Sequence, residues 1–386
     1  MSNTCRICGH PLFPTPLLVQ HDMPAAAQGL PTADGLAADC GVSLALHQCA
    51  GCGLVQLTNA PVPYWRDVIR AAGTSPEMRG FRLAQFGTWL DTHRLTGRKV
   101  LEVGCGGGEY LALLAECGAD AFGIEHKSES VQACRAAGLR VEEAFLDGPE
   151  TQLADGPFDG FAILNFLEHI PDAHRTLQGI AANLSDGATG LVEVPNFDMI
   201  VQQGLFAEFI PDHLYYFTRE TLTGLLERNG FEVLDCRPEW HDYVLSATVR
   251  KRCPLDLTPL AACQATLKAS FDAFLDRFGA GRVAIWGAGH QALALISLMG
   301  IAPRIRCVLD SAPFKQGRFT PATHLPIVAP ERLSDDEAGN VEAVIVLAAS
   351  YSDEVARILR ERHGNRFSVA VLRDNRLETV IDGAAQ

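Results

Sequence analysis

The sequence is short of positive charge: 32 Lys and Arg stand against 46 Asp and Glu, a formal net charge of −14 over 386 residues. Nucleic acids and anionic membrane surfaces are held by clustered Lys and Arg, so this balance excludes a general binder of either. Any anionic ligand must rely on a few local donors. Charged residues make up only 20% and hydrophobic residues 47%, which excludes disorder as the main state. Met1 to Leu12 has no basic stretch followed by an apolar run, the pattern of a secretory signal. The longest apolar run, Ala284 to Ala302, is broken by His290, Gln291 and three glycines, and reads as strand, glycine turn and helix instead of a membrane span. A cytoplasmic protein with reduced thiols is expected, so the 12 cysteines need an explanation other than a disulfide framework.

At roughly 100–200 residues per domain, the chain holds two or three domains. Three blocks differ in composition. Residues 1–80 are rich in Cys, Pro, Gly and Ala without sustained periodicity, as in a small loop-rich module that needs a staple, followed by a connecting segment. Residues 81–250 alternate short apolar strands (Lys99 to Val103, Ala121 to Glu125, Phe158 to Leu164, Gly190 to Val194) with helical stretches such as Tyr110 to Glu116 and Ser128 to Ala137. That alternation predicts an α/β, doubly wound core with a parallel sheet. Residues 251–386 open with a basic linker surface, Arg250 to Arg252 with Pro254, and a helix capped by Thr258 with Pro259 in its first turn. A second α/β series follows, with strands at Val283 to Trp286, Ile305 to Leu309, Val341 to Ala348 and Ser368 to Leu372.

Cys5-x-x-Cys8 and Cys49-x-x-Cys52 are each followed by a glycine, Gly9 and Gly53. Two such turns, each aiming two thiolates at one point, match a tetrahedral zinc site whose four protein ligands leave no open position, so the zinc is structural. Free or redox-active thiols are the alternative. Cys40 has the wrong spacing for a knuckle, and Cys105, Cys134 and Cys307 fall on apolar faces as small core residues.

A second motif opens the central block. The strand ending in Glu102 runs into Gly104-x-Gly106-x-Gly108, where the backbone turns tightly and approaches a ligand just before a helix N-terminus. Glu125 closes the next strand, 21 residues after Gly104, placed to accept from both ribose hydroxyls. Glu102 suits a ligand ammonium group, which a dinucleotide lacks. With the strand end Asn165-Phe166-Leu167-Glu168-His169-Ile170-Pro171-Asp172, this segment resembles the class I S-adenosylmethionine-dependent methyltransferases. The resemblance implies S-adenosylmethionine as cofactor, held by Glu102, Gly104, Gly106 and Glu125, with Asp147 near adenine and Asn165 at the strand end.

Two histidines stand out of twelve. His169 follows Glu168 at the carboxyl edge of the sheet, where open α/β folds bind ligands, and His213 follows Asp212 ahead of a helix capped by Thr218 and ended by Asn229-Gly230. The order of motifs is similar, across almost the whole chain, to three-domain C-methyltransferases of nucleotide-activated 4-keto-deoxysugars: cysteine pairs, methyltransferase core, Asp212-His213-Leu214-Tyr215-Tyr216-Phe217, and a final α/β block with Asp310, Pro313, Lys315, Arg318 and Thr323 to Ile327. The resemblance implies His213 as the base that removes the C3 proton, Asp212 as its acidic neighbour, His169 as a second active-site histidine, and an enolate that attacks the sulfonium methyl. It departs in three places: Ile210 replaces a tyrosine three residues before the base, Ile69 to Ser75 lacks the family's tyrosines, and a His-Gly-Gly signature survives only as His241-Asp242-Tyr243. O- or N-methylation of a sugar or other small polar metabolite therefore stays open.

Ile285-Trp286-Gly287-Ala288-Gly289, with Asp310 ending the next strand, fits a dinucleotide fingerprint by spacing, so an NAD-dependent oxidoreductase is the rival from another class. In the resembling family this domain is a Rossmann-like cover. Lys315 and Arg318, with His241, are the candidate contacts for a nucleotide-sugar substrate; packing of a solvated loop is the alternative for the first two.

Overall fold

The computed structural model describes residues 3–67, 74–334 and 340–383. The chain divides into two compact units, Met1–Pro254 and Leu255–Gln386. None of the described helices is long and apolar enough to cross a membrane.

The first unit begins with strands β1 (Leu18–Met23), β2 (Val42–Gln48) and β3 (Val55–Leu57). Helix α1 (Pro76–His93) starts where Ser75 caps the N–H of Met78 and Pro76 fills the first turn, so it crosses the expected start of the core at residue 81. There follow β4 (Lys99–Val103), α2 (Glu109–Glu116), β5 (Asp120–Glu125), α3 (Ser128–Ala136), β6 (Val141–Glu143), β7 (Phe158–Leu164), α4 (Ala173–Ala182), β8 (Leu184–Pro195) and α5 (Phe197–Gln203). The unit closes with β9 (Tyr215–Tyr216), α6 (Arg219–Arg228), β10 (Phe231–Glu239) and β11 (Val244–Lys251).

Seven of these strands form one sheet in the order β10-β11-β8-β7-β4-β5-β6, parallel from β8 to β6 and closed by the antiparallel β10-β11 hairpin. The strand order reverses between β4 and β7, so the carboxyl ends of these two frame the crevice where such sheets take ligands. The remaining strands form a small sheet, β1-β2-β3-β9. Its fourth strand comes from the segment just after His213.

The second unit contains α7 (Thr258–Leu275), β12 (Val283–Trp286), α8 (His290–Leu298), β13 (Ile305–Leu309), β14 (Ile327–Val328), β15 (Ala343–Val346), α9 (Ser352–His363), β16 (Ser368–Arg373) and β17 (Arg376–Ile381). Its sheet runs β14-β13-β12-β15-β16-β17, with only β17 antiparallel. Two local expectations change. The basic stretch Arg250 to Arg252 is not a free linker: Arg250 and Lys251 end β11, in register with Glu232 and Phe231, where the ladder satisfies their backbone. Thr258 is the first residue of α7 and not its cap: Leu257 holds the cap position, and the Asp256 carboxylate before it accepts from the N–H (2.9 Å) and hydroxyl (2.6 Å) of Thr258.

Beneath the crevice, Arg82 of α1 and Glu193 of β8 are both fully buried and 2.6 Å apart. Gln85 joins them, accepting from Arg82 (2.7 Å) and donating to Glu193 (2.6 Å), and the Arg82 guanidinium lies 4.6 Å over the Tyr110 ring. This pair fastens α1 to the sheet. Removing one partner strands a buried charge, so Arg82→Ala is expected to lower unfolding free energy by about 3–5 kcal/mol, measured by denaturant titration.

Candidate active site

The four cysteines of the two knuckles converge. All four sulfurs lie within 4.8 Å of one another, with Cys5 to Cys52 at 3.5 Å and Cys8 to Cys49 at 3.4 Å. A tetrahedron with bonds of about 2.3 Å has edges of about 3.8 Å, so the set fits one ion. The two turns are built alike: Ile7 and Cys8 donate backbone N–H groups to Cys5 Sγ (3.3 and 3.5 Å), and Gly51 and Cys52 do so to Cys49 Sγ (3.2 and 3.3 Å). Cys40 is exposed and outside the cluster, whereas Cys105, Cys134 and Cys307 are buried in the cores.

Both knuckles are tied to the rest of the first unit. His174 of α4 donates from Nε2 to the Ile7 carbonyl between Cys5 and Cys8, and its Nδ1 accepts from Asn229 at 2.9 Å. The other knuckle runs directly into β3, which pairs with β9 through Val55–Tyr216 and Gln56–Tyr215. The N–H of Leu57 also donates to the carbonyl of Leu214, the residue after His213, at 3.1 Å.

At the crevice, Gly104 has φ +70°, and a Cβ there would lie 2.8 Å from the Phe166 ring, so only glycine fits the turn. Glu102 and Glu125 are buried at the ends of β4 and β5. Glu125 accepts from the N–H of Gly106 (3.0 Å) and of Lys127 (2.9 Å), which fixes its carboxylate beneath the loop and leaves further lone pairs for a ligand. The adjoining cleft is lined by Gly104, Glu125, His126, Phe145, Phe166 and Arg66. Asp147 is exposed at its rim, 4.0 Å from Arg66. Asn165 is exposed at the end of β7 with φ +52°, its N–H held by the Glu193 carbonyl at 2.8 Å.

His169 and His213, 44 residues apart in sequence, pack with ring centroids 4.7 Å apart at 72°. His169 Nδ1 is 3.0 Å from the Asp212 carbonyl, so that nitrogen carries the proton and Nε2 presents a lone pair toward Glu168, 3.8 Å away. Burial holds both imidazoles below their ordinary range, His169 at about 4 and His213, which also faces His169, at about 3. Burial raises the Glu168 carboxyl to about 8. At neutral pH the cluster is therefore two neutral imidazoles beside a neutral carboxylic acid, uncharged but able to move a proton.

Asp212, expected beside the base, presents to the histidines its carbonyl and not its carboxylate. That carboxylate accepts from Tyr64 (2.8 Å) and from the N–H of Ala27 (3.0 Å), so it anchors residues of the first block over the site. Tyr64, with Tyr215 and Tyr216, is one of the tyrosines that the sequence offers in place of the missing ones, and this hydrogen bond brings it to Asp212. Residues 69–73 of the tyrosine-poor segment lie outside the described residues. His241 is exposed and 3.5 Å from Glu77, apart from the histidine pair. In the second unit, Asp310 accepts from the N–H of Ala288 in the glycine loop and from Lys315, both at 2.8 Å, while Arg318 is exposed and donates to the Phe314 carbonyl at 3.0 Å.

Residues 74–235 match the model of a methyltransferase domain, and residues 262–371 that of the C-methyltransferase C-terminal domain. The chain is 24% identical to C-methyltransferase NovU of Streptomyces niveus over 95% of both chains. It is 41% identical to a ubiquinone biosynthesis O-methyltransferase of Methylococcus capsulatus, but over 25% of this chain and 42% of that one. A solved magnesium protoporphyrin IX methyltransferase of Synechocystis PCC 6803 with S-adenosylhomocysteine has a TM-score of 0.37 and 17% identity, covering 49% of this chain and 93% of that one.

The titrations of the histidine cluster set opposing slopes in stability. Glu168 has a raised value, so its contribution is complete below 4.5 and lost as pH rises toward 8; the depressed histidines contribute fully above 6.5 and lose this as pH falls. Stability from these three groups is therefore greatest near pH 6.5. Thermal unfolding across pH 5 to 8.5 is expected to show the alkaline fall in the parent chain and a shallower one in Glu168→Gln.

Proposed function

We propose that this S-adenosylmethionine-dependent methyltransferase methylates carbon 3 of a nucleotide-activated 4-keto-deoxysugar. The observation that carries the reading is the neutral pair of buried His169 and half-buried His213 at the carboxyl edge of the sheet. The order of sequence motifs and the full-length likeness to a protein named as a C-methyltransferase support a carbon acceptor. S-adenosylmethionine, held by Glu102, Gly104, Gly106 and Glu125 with Asp147 and Asn165 at the rim, supplies an activated methyl group. His213, held neutral by desolvation, takes the proton from the carbon beside the ketone. His169, its Nδ1–H fixed on the Asp212 carbonyl, can donate to the keto oxygen only from Nε2, after taking there the proton of Glu168; the imidazolium so formed then holds the enolate oxygen. When bound, the sulfonium would give up its methyl to the acceptor carbon, its carbon–sulfur bond breaking as the new carbon–carbon bond forms. The chain contributes alignment, exclusion of water and proton transfer.

A bound Zn²⁺ on Cys5, Cys8, Cys49 and Cys52 is structural in this proposal, holding β3 and so the segment of His213. Within the second unit Lys315 is committed to Asp310, which leaves Arg318 as that unit's candidate donor for a diphosphate. O-methylation is the second reading, favoured by the match of the central block to an O-methyltransferase; the same neutral imidazoles would then deprotonate a hydroxyl.

In D₂O, with S-adenosylhomocysteine in place of the methyl donor, the parent chain is expected to exchange the C3 proton of a nucleotide 4-keto-deoxysugar. His213→Ala is expected to lose about 10²–10⁴-fold in that rate. Undiminished exchange in the variant removes His213 as base, and a product with its new methyl on oxygen by NMR selects the second reading. Elemental analysis is expected to find one zinc per chain, lost in Cys49→Ser together with methyl transfer. Calorimetric binding of NAD without S-adenosylhomocysteine would reverse the choice against an oxidoreductase.

A further inference from the structure

Phe145 stands at the centre of a cluster on the rim of the cofactor cleft. The ring of His126, next to Glu125, meets it edge-on at 6.3 Å, and Trp65 meets it edge-on at 5.3 Å and 80°. The Arg66 guanidinium lies 5.2 Å over the Phe145 ring and 4.7 Å over the Trp65 ring, and faces the Asp147 carboxylate at 4.0 Å. Trp65 and Arg66 belong to the first block, far in sequence from the glycine loop, yet Arg66 lines the same cleft as Gly104, Glu125 and Phe166. Arg175 fixes the opposite side of the loop, donating from Nε to the Asp147 carbonyl at 2.5 Å.

An adenine ring is flat and π-rich, and it is held best between aromatic faces and a guanidinium plane. The ribose end of such a ligand is set by Glu125, which places the base toward His126 and Phe145. We infer that Trp65 and Arg66 form the outer wall of the adenosine pocket, so that these two residues of the first block are part of the cofactor site. The inference rests on S-adenosylmethionine as the cofactor. Arg66 stacks on the base and keeps Asp147 oriented toward its amino edge; Trp65 shields both from water.

Calorimetry with S-adenosylhomocysteine tests this in the full chain. Arg66→Ala and Trp65→Ala are each expected to weaken binding about tenfold, a loss of about 1.4 kcal/mol. Trp65→Phe, which keeps an aromatic face, is expected to bind nearly as the parent does but to lose most of the tryptophan fluorescence change that the ligand produces. Unchanged affinity in both alanine variants overturns the inference, as does a fluorescence change of full size in Trp65→Phe. Failure of the parent chain to bind S-adenosylhomocysteine overturns the cofactor assignment and this wall with it, a result distinct from the other two.

Discussion

The acceptor side of the site depends on a very short strand pairing. β9 is two residues long, and its partners are Val55 and Gln56 of β3, which leaves the Cys49–Cys52 knuckle within three residues. A strand of that length has no stability of its own, so β9 exists because β3 is held, and β3 is held at one end by the cysteine turn. Gln56 adds to this: fully buried, it accepts from the N–H of Arg6 at 2.9 Å and donates to the Thr4 carbonyl at 3.3 Å, stitching the first knuckle to the strand that follows the second. His213 stands two residues before β9 and inherits this order. The first block therefore acts on the chemistry without supplying the histidines.

The same economy governs charge. The crevice keeps its carboxylates at the strand ends, where backbone N–H groups orient Glu125, and loss of water holds Glu168, His169 and His213 uncharged. A neutral imidazole can accept a proton without first losing one, and a neutral Glu168 beside it adds no negative charge to the crevice. The cost falls on stability, since each of these groups has left water in its less favoured protonation state for part of the pH range.

Much of the fold was legible in the sequence because the parallel strands are buried on both faces. Lys99–Val103, Phe158–Leu164, Val283–Trp286 and Ile305–Leu309 have the bounds expected from their apolar runs. β8 is longer than expected, Leu184–Pro195, because its first turn of sequence carries Ser185, Asp186 and Gly187, which read as a loop. β9 and its partner β3 were invisible, since two- and three-residue strands have no period and depend on contacts about 160 residues apart. At the site, glycines, carboxylates and histidines could be named from motif and spacing. Arg82, Trp65 and Arg66 could not, because a single arginine in a helix or an aromatic in a proline-rich stretch takes its meaning only from what the fold brings beside it.

The two α/β units share a strand, a glycine turn and a carboxylate at the next strand end, but they differ at that carboxylate. Among the described residues Glu125 receives only backbone N–H groups, whereas Asp310 also receives the ammonium of Lys315, five residues along the chain. Lys315 thus behaves as a tethered competitor. Its local concentration at Asp310 is set by a short loop and lies in the millimolar range or above. A ribose seeking Asp310 must displace a group that never diffuses away, while a ribose at Glu125 displaces nothing but solvent.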